Sequence, residues 1–255
     1  MRAASESACR TRCGSRVWRV RSGGGAGLRP RPSGVRVRHR GRLAPLRGGR
    51  GPVGGLSAGG PDEGVPVVKI VLMSGSTRQD SVNGAVLETV RHTLAGLPGE
   101  HESVSLAVAD LPFYEAELER SGASAAVRAA QELVAGADAL FISTPSYNGE
   151  MPGALKNALD WLSRGIGGPS ALTGKVTAVA SASPGARGAL DAQAGLVGVL
   201  TRCGARVVEH EPVAVTGAGG KTTEDGRYTD PELVALVESL TGALLAEVAA
   251  AGVLV

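Results

Sequence analysis

From Val67 onward the chain alternates between short apolar runs and longer segments of helical spacing. Val67–Met73 is apolar except for Lys69 and is closed by Ser74-Gly75, the pattern of a strand buried on both faces. Between Asn83 and Ala95 the apolar side chains fall at Val86, Leu87, Val90 and Leu94, which predicts a helix. The alternation then repeats. Val104–Val108 reads as a second strand, Ser124–Val134 as a helix, Ala139–Ser143 as a third, buried strand, and Gly153–Leu162 as a helix entered through Pro152. Val176–Ala182 reads as a fourth strand, Ala189–Thr201 as a helix and Ala205–Val215 as a fifth strand. Asp230-Pro231 starts the last helix, an N-cap followed by proline at the first helical position. Its apolar run from Leu233 is interrupted by Glu238 and Glu247, so it reads as an amphipathic helix and not as a membrane span.

Strands separated by helices at this spacing form a parallel sheet covered on both faces. Five strands predict an α/β, doubly wound, flavodoxin-like sheet of order 2-1-3-4-5. In that order the loops after strands 1 and 3 face each other at the carboxyl edge, where such sheets bind ligands. No internal repeat is visible.

These two loops carry the candidate chemistry. The first, Ser74-Gly75-Ser76-Thr77-Arg78-Gln79-Asp80-Ser81-Val82-Asn83, joins a buried strand to a helix. Gly75 permits a close approach, Ser76, Thr77 and Ser81 offer hydroxyls, and Arg78 can pair with a phosphate that also meets the helix N-terminus. No Gly-Lys-Ser/Thr ends this loop, and the Gly-x-Gly-x-x-Gly dinucleotide spacing is absent, so it matches neither familiar nucleotide fingerprint. The second loop, Thr144-Pro145-Ser146-Tyr147-Asn148-Gly149, places an aromatic where a planar ring would lie. Tyr114, in the loop after strand 2, could shield such a ring or plug the end of the core. Phe141 and Trp161 read as core. A third loop, Ser183-Pro184-Gly185-Ala186-Arg187-Gly188, is small enough to pass close to a ring edge, with Arg187 as either an anion contact or a surface side chain. Phosphate cradle and ring platform together read as the two halves of a flavin mononucleotide (FMN) site.

Charge divides the chain. Residues 1–65 hold 14 Arg and three acids, and residues 66–255 hold 13 Lys and Arg against 21 acids, the two parts giving the formal net charge of +3. The basic pI therefore belongs to the first segment, and the acidic remainder argues against a nucleic-acid-binding core. Residues 1–65, rich in Arg, Gly and Pro and without hydrophobic period, are expected to be a disordered tail preceding one domain over 66–255. A transit peptide, a tether to nucleic acid or a membrane surface, and a stretch upstream of the true start are the alternatives for it. Cys9, Cys13 and Cys203 match no zinc or redox spacing, and the four histidines form no metal cluster. No membrane association is expected, and a reducing, cytoplasmic setting is the default.

No Ser-His-Asp set, carboxylate pair or metal constellation appears, so no catalytic side chain is assigned; a flavin that carries the reaction itself needs none. The sequence resembles the NADPH-dependent FMN reductase family, the flavodoxin-like group containing quinone, azo-dye and chromate reductases. The resemblance rests on Gly75-Ser76-x-Arg78-x-x-Ser81-x-Asn83, on Asp110-Leu111-Pro112-x-Tyr114, on Pro145-x-Tyr147-Asn148-Gly149 with Pro152-Gly153-x-Leu155-Lys156-Asn157-Ala158-x-Asp160-Trp161, and on Ser183-Pro184-Gly185, in family order across residues 66–245. It implies that Ser76, Arg78, Ser81 and Asn83 bind the FMN phosphate, that Pro145, Ser146, Tyr147, Asn148 and Gly149 line the isoalloxazine, and that Ser183 and Gly185 close its other side. Ser146 stands where the family commonly has Glu, and Glu150 where it has a small residue or His, departures that bear on substrate preference and subunit contacts.

The resemblance further implies an oxidoreductase in which NADPH or NADH reduces bound FMN and a small-molecule acceptor (quinone, azo compound, metal oxyanion or flavin) takes the electrons in the same site, with ping-pong kinetics. A homodimer or homotetramer is expected. The alternatives are a reductase that releases reduced flavin to a monooxygenase, a flavin-binding electron carrier or sensor without NAD(P)H turnover, and a nucleic-acid-associated protein acting through its basic tail. Arg78 favours the reductase over the carrier, whose phosphate loop is usually hydroxyl-rich without the arginine.

Overall fold

The computed structural model describes residues 67–166, 168–221 and 223–252; the tail assigned to 1–65 lies outside them. The central strand β1 (Val67–Ser74) is followed by α1 (Val82–Gly96), β2 (Glu100–Leu106), a short α2 (Ala116–Arg120) and α3 (Ala125–Ala135). β3 (Ala139–Thr144), α4 (Gly153–Leu162), β4 (Val176–Ala182) and α5 (Leu190–Arg202) continue the winding. β5 (Arg206–Val207) and β6 (Val213–Val215) follow, then the hairpin of β7 (Thr223–Glu224) and β8 (Arg227–Tyr228), and α6 (Pro231–Ala250). The parallel sheet has the order β2-β1-β3-β4-β5, the expected flavodoxin-like winding, with β6 also pairing to β4.

The fifth position differs from the single strand expected over Ala205–Val215. β5 pairs with Val176 and Thr177, and β6 pairs with Ala180, Ser181 and Ala182. Between them lie Glu209, His210, Glu211 and Pro212; proline has no N–H for the ladder and the charged side chains keep to the water side of an edge. β2 also begins earlier than its apolar residues suggest. It is an edge strand with no buried residue, so its first half needs no hydrophobic pattern.

Both faces of the sheet are covered. Ile70, Leu72, Phe141 and the small side chains of β4 pack under α1 and α6, where Val86, Val90, Val237, Leu240 and Leu244 meet them. Val71, Met73, Leu140 and Ile142 point the other way, against Val127, Val134, Leu155, Leu159, Trp161 and Leu196 of α3, α4 and α5. Each of these large side chains, fully withdrawn from water, contributes about 1.5–3 kcal/mol. Register between β1 and β3 is pinned at the amino edge, where Lys69 N donates to Asp138 Oδ2 at 2.6 Å and Asp138 N to Lys69 O at 2.8 Å. α6 has the length and composition of a membrane span, yet Leu233, Val237, Leu240, Thr241, Leu244 and Val248 are buried inside this fold. Its start is capped as expected, Asp230 accepting from Glu232 N and Leu233 N, and the Leu233 bond is the main cause holding the Asp230 carboxyl below its usual pKa. Tyr228 closes the end of α1, its hydroxyl donating to Val82 O, with burial raising its pKa to about 12.

Candidate functional site

Three strand-to-helix loops meet at the carboxyl edge of β1, β3 and β4, and hydrogen bonds fix their spacing. Gly75 N donates to Ser143 O at 2.8 Å, tying the first loop to β3. A Cβ on Gly75 would lie 3.1 Å from Leu155 Cδ2 and from Pro145 Cδ and 3.2 Å from Thr144 Oγ1. The first and third-strand loops therefore touch across a position that only glycine fills without displacement. Gly75→Val is expected to cost about 1–3 kcal/mol by overpacking this seam, read as a lower melting temperature, and to lower flavin content by parting the loops.

Asn83 ties the start of α1 to the ends of β3 and β4. It is fully buried. Its Nδ2 donates to Ala182 O at 3.0 Å, while its Oδ1 accepts from Ala182 N at 3.1 Å and from Ser143 Oγ at 2.8 Å. The carboxamide faces inward to β3 and β4 and holds the N-terminus of α1 against those strand ends.

Ser81 is the N-cap of α1, its Oγ accepting from Asn83 N at 3.2 Å. Ser76 Oγ accepts from Arg78 N at 3.3 Å, and Ser76 N donates to Ser74 Oγ at 3.1 Å. Arg78 is exposed, and its guanidinium forms no ion pair among the described residues. Two clefts border this loop, of about 370 Å³ beside Ser76 and Thr77 and about 380 Å³ beside Ser81. Hydroxyls, one unpaired guanidinium and the free N–H groups of a 15-residue helix suit a phosphate dianion.

The ring-side loop is a two-residue hairpin that the sequence reading did not identify, although Asn-Gly is its strongest short-range signal. Tyr147 and Glu150 exchange backbone hydrogen bonds, Tyr147 N to Glu150 O at 2.8 Å and Glu150 N to Tyr147 O at 3.2 Å. Asn148 and Gly149 between them have φ of 56° and 91°, as a type I′ turn demands. Pro145 is buried, Ser146 half-buried, and Tyr147 is 49% exposed at the tip. The fourth-strand loop is held by β6 and α5: Ser183 N donates to Val215 O, Gly185 N to Ser183 Oγ, and Gln193 Nε2 to both Ser181 Oγ and Val213 O. Ser183 is half-buried, and Gly185 and Arg187 are exposed.

Tyr114 is the plug and not the shield. Its ring packs edge-on to Trp161 at 5.0 Å, Arg164 lies 4.7 Å from its centroid, and its hydroxyl donates to Glu119, which raises its pKa. Asn157 and Trp161 hold this loop: Asn157 Oδ1 accepts from Tyr114 N, and Asn157 Nδ2 and Trp161 Nε1 both donate to Pro112 O. The sequence motif includes Asn157 without giving it a role, although it is a polar residue on the apolar stripe of α4, and Gln193, which shows the same signal in α5, was missed. No group of three or more potential metal-ligating side chains occurs among the described residues.

Comparison with known proteins agrees with this geometry. Residues 68–220 match the family described as NADPH-dependent FMN reductase. A 2-hydroxy-1,4-benzoquinone reductase of a Burkholderia species is 36% identical over 63% of this chain and 88% of its own length. An NAD(P)H-dependent FMN reductase of Pseudomonas aeruginosa is 33% identical over 69% of this chain and 93% of its own. The solved structure of FerB, a flavoenzyme NAD(P)H:(acceptor) oxidoreductase from Paracoccus denitrificans, superposes with a TM-score of 0.64 at 29% identity, covering 71% of this chain and 97% of that one. With the fold, the loops and more than half the chain in agreement, the protein belongs to the NADPH-dependent FMN reductase family, an oxidoreductase with FMN as cofactor and NAD(P)H as co-substrate.

Proposed function

We propose that the chain transfers two electrons from NAD(P)H, through FMN held at the carboxyl edge, to a quinone, and that the same open site admits azo compounds, metal oxyanions and free flavin. The observation that carries this reading is the convergence of three hydrogen-bonded loops, with unpaired Arg78 at one end and half-exposed Tyr147 at the other. Ser76, Ser81, Arg78 and the N–H groups of α1 hold the phosphate. Pro145, Ser146, Tyr147, Asn148 and Gly149 bound the ring on one side, Ser183 and Gly185 on the other. FMN supplies the two-electron chemistry; the chain binds, orients and partly shields it. The balance is NAD(P)H, one proton and quinone giving NAD(P)+ and hydroquinone. NAD(P)H and acceptor occupy one face in turn, which gives ping-pong kinetics.

Residues 66–255 form the catalytic unit in this proposal, as a homodimer or homotetramer in the cytoplasm. Support for self-association is the exposed apolar surface on the carboxyl-edge loops, Phe113 at 79% and Tyr147 at 49%. The deciding experiment is an anaerobic visible spectrum of the purified protein before and after NADPH. Flavin bands that bleach support the reductase. Bands that persist with both NADPH and NADH would make it a carrier or sensor, and a colourless protein that FMN cannot reconstitute would overturn the site. A chain lacking residues 1–65 is expected to bleach equally.

A further inference from the structure

We infer that Glu150 and Asp191 set a charge preference in the acceptor site, so that neutral and cationic quinones are reduced in preference to anionic acceptors; this rests on the reductase reading above. The Tyr147–Glu150 hairpin leans on α5. A Cβ on Gly195 would lie 2.6 Å from Glu150 Oε2, so that carboxylate lies against bare helix backbone. A Cβ on Gly149 would lie 3.9 Å from Asp191 Oδ2. Positions 191 and 195 are one turn apart and share a helix face. Both carboxylates therefore gather where the hairpin that carries Tyr147 rests.

Neither carboxylate forms an ion pair among the described residues, so neither charge is cancelled locally. The cations of α4 and the neighbouring loops do not pair with them. Lys156 at the start of α4 is tied to Asp160 at 2.8 Å. Arg78 stands on the phosphate loop, and Arg187 on the fourth-strand loop is exposed and pairs with neither. An acceptor approaching Tyr147 thus meets two negative charges that no ion pair neutralises. Each is worth on the order of two- to five-fold in the encounter of an anionic acceptor at low salt, an effect that fades as the screening length shortens from about 30 Å at 0.01 M to about 8 Å at 0.15 M.

The test uses the full, flavin-loaded chain with NADPH and three acceptors: p-benzoquinone, a sulfonated benzoquinone and a quinone bearing a quaternary ammonium. Ping-pong kinetics let kcat/KM of each acceptor be read apart from that of NADPH. In the wild type the sulfonated quinone is expected to be the slowest and to gain with salt. The double variant Glu150→Gln, Asp191→Asn is expected to raise its kcat/KM about 5- to 20-fold at low ionic strength, flatten its salt dependence and leave p-benzoquinone within about two-fold. Gly195→Ala, which moves the Glu150 carboxylate without removing it and adds a better helix former, is expected to change the ratio of sulfonated to neutral quinone by less than the double variant does. An unchanged ratio of sulfonated to neutral quinone, with an unchanged salt slope in the double variant, would overturn the inference while leaving the reductase intact. Failure of the wild type to reduce even p-benzoquinone with NADPH would instead overturn the reading beneath it.

Discussion

Replacing Asn83 with alanine is expected to destabilise the fold by about 3–4 kcal/mol and to abolish flavin retention together. The substitution leaves Ala182 N–H, Ala182 C=O and Ser143 Oγ without their partner at a fully buried position. Each orphaned group costs about 1–3 kcal/mol, and the sum is reduced because they share one cavity that a water can enter. Asn83→Asp is expected to be worse. It keeps the acceptor but exchanges the donor for a carboxylate oxygen facing Ala182 O, placing a charge at a fully buried position. Urea denaturation followed by circular dichroism gives the stability, and the visible absorbance of the purified protein gives the flavin content. A variant with wild-type stability and colour would mean that the three loops are aligned by something other than this amide.

Arg78→Ala is expected to act in the opposite way, on binding and hardly on stability. The side chain is exposed and makes no ion pair among the described residues, so its loss removes no bond among them that holds the domain. A charge-assisted bond to phosphate is worth about 1.5–3 kcal/mol, or roughly 10- to 150-fold in the dissociation constant for FMN. Arg78→Lys keeps the charge without the planar fork and is expected to fall between. Fluorescence titration of apoprotein with FMN measures all three. Equal affinities would place the phosphate elsewhere. Asn83 and Arg78 thus separate two roles that sequence reasoning merges, since both lie in one short motif.

Where burial and period dictated structure, the sequence was readable. β3 and β4, buried along their whole length, left largely apolar runs, interrupted only by small Ser and Thr residues, whose limits match the structure within a residue. Lightly buried elements left little trace. β2 is an edge strand, and its polar half at Glu100–Ser103 carries no hydrophobic signal. The β7–β8 hairpin has two residues per strand, too few for a period, though its Asp225-Gly226 turn is a hairpin signal in its own right. Site residues followed the same logic. Small, hydroxyl and glycine positions marked the loops, but the direction of a buried amide is a tertiary property. Asn83 and Asn157 bind backbone atoms 99 and 45 residues away, a pairing that no local pattern encodes.

The order β2-β1-β3 has a consequence for synthesis on the ribosome. The first strand of the described residues is not an edge but an interior strand, with Ile70, Val71, Leu72 and Met73 apolar on both faces. Its second neighbour, β3, ends at Thr144, about seventy residues after Ser74. At roughly 5–20 residues per second, that interval is on the order of ten seconds. Throughout it one edge of β1 stands unpaired while the chain is still emerging, so this nascent protein offers a chaperone a binding window that closes only when β3 arrives.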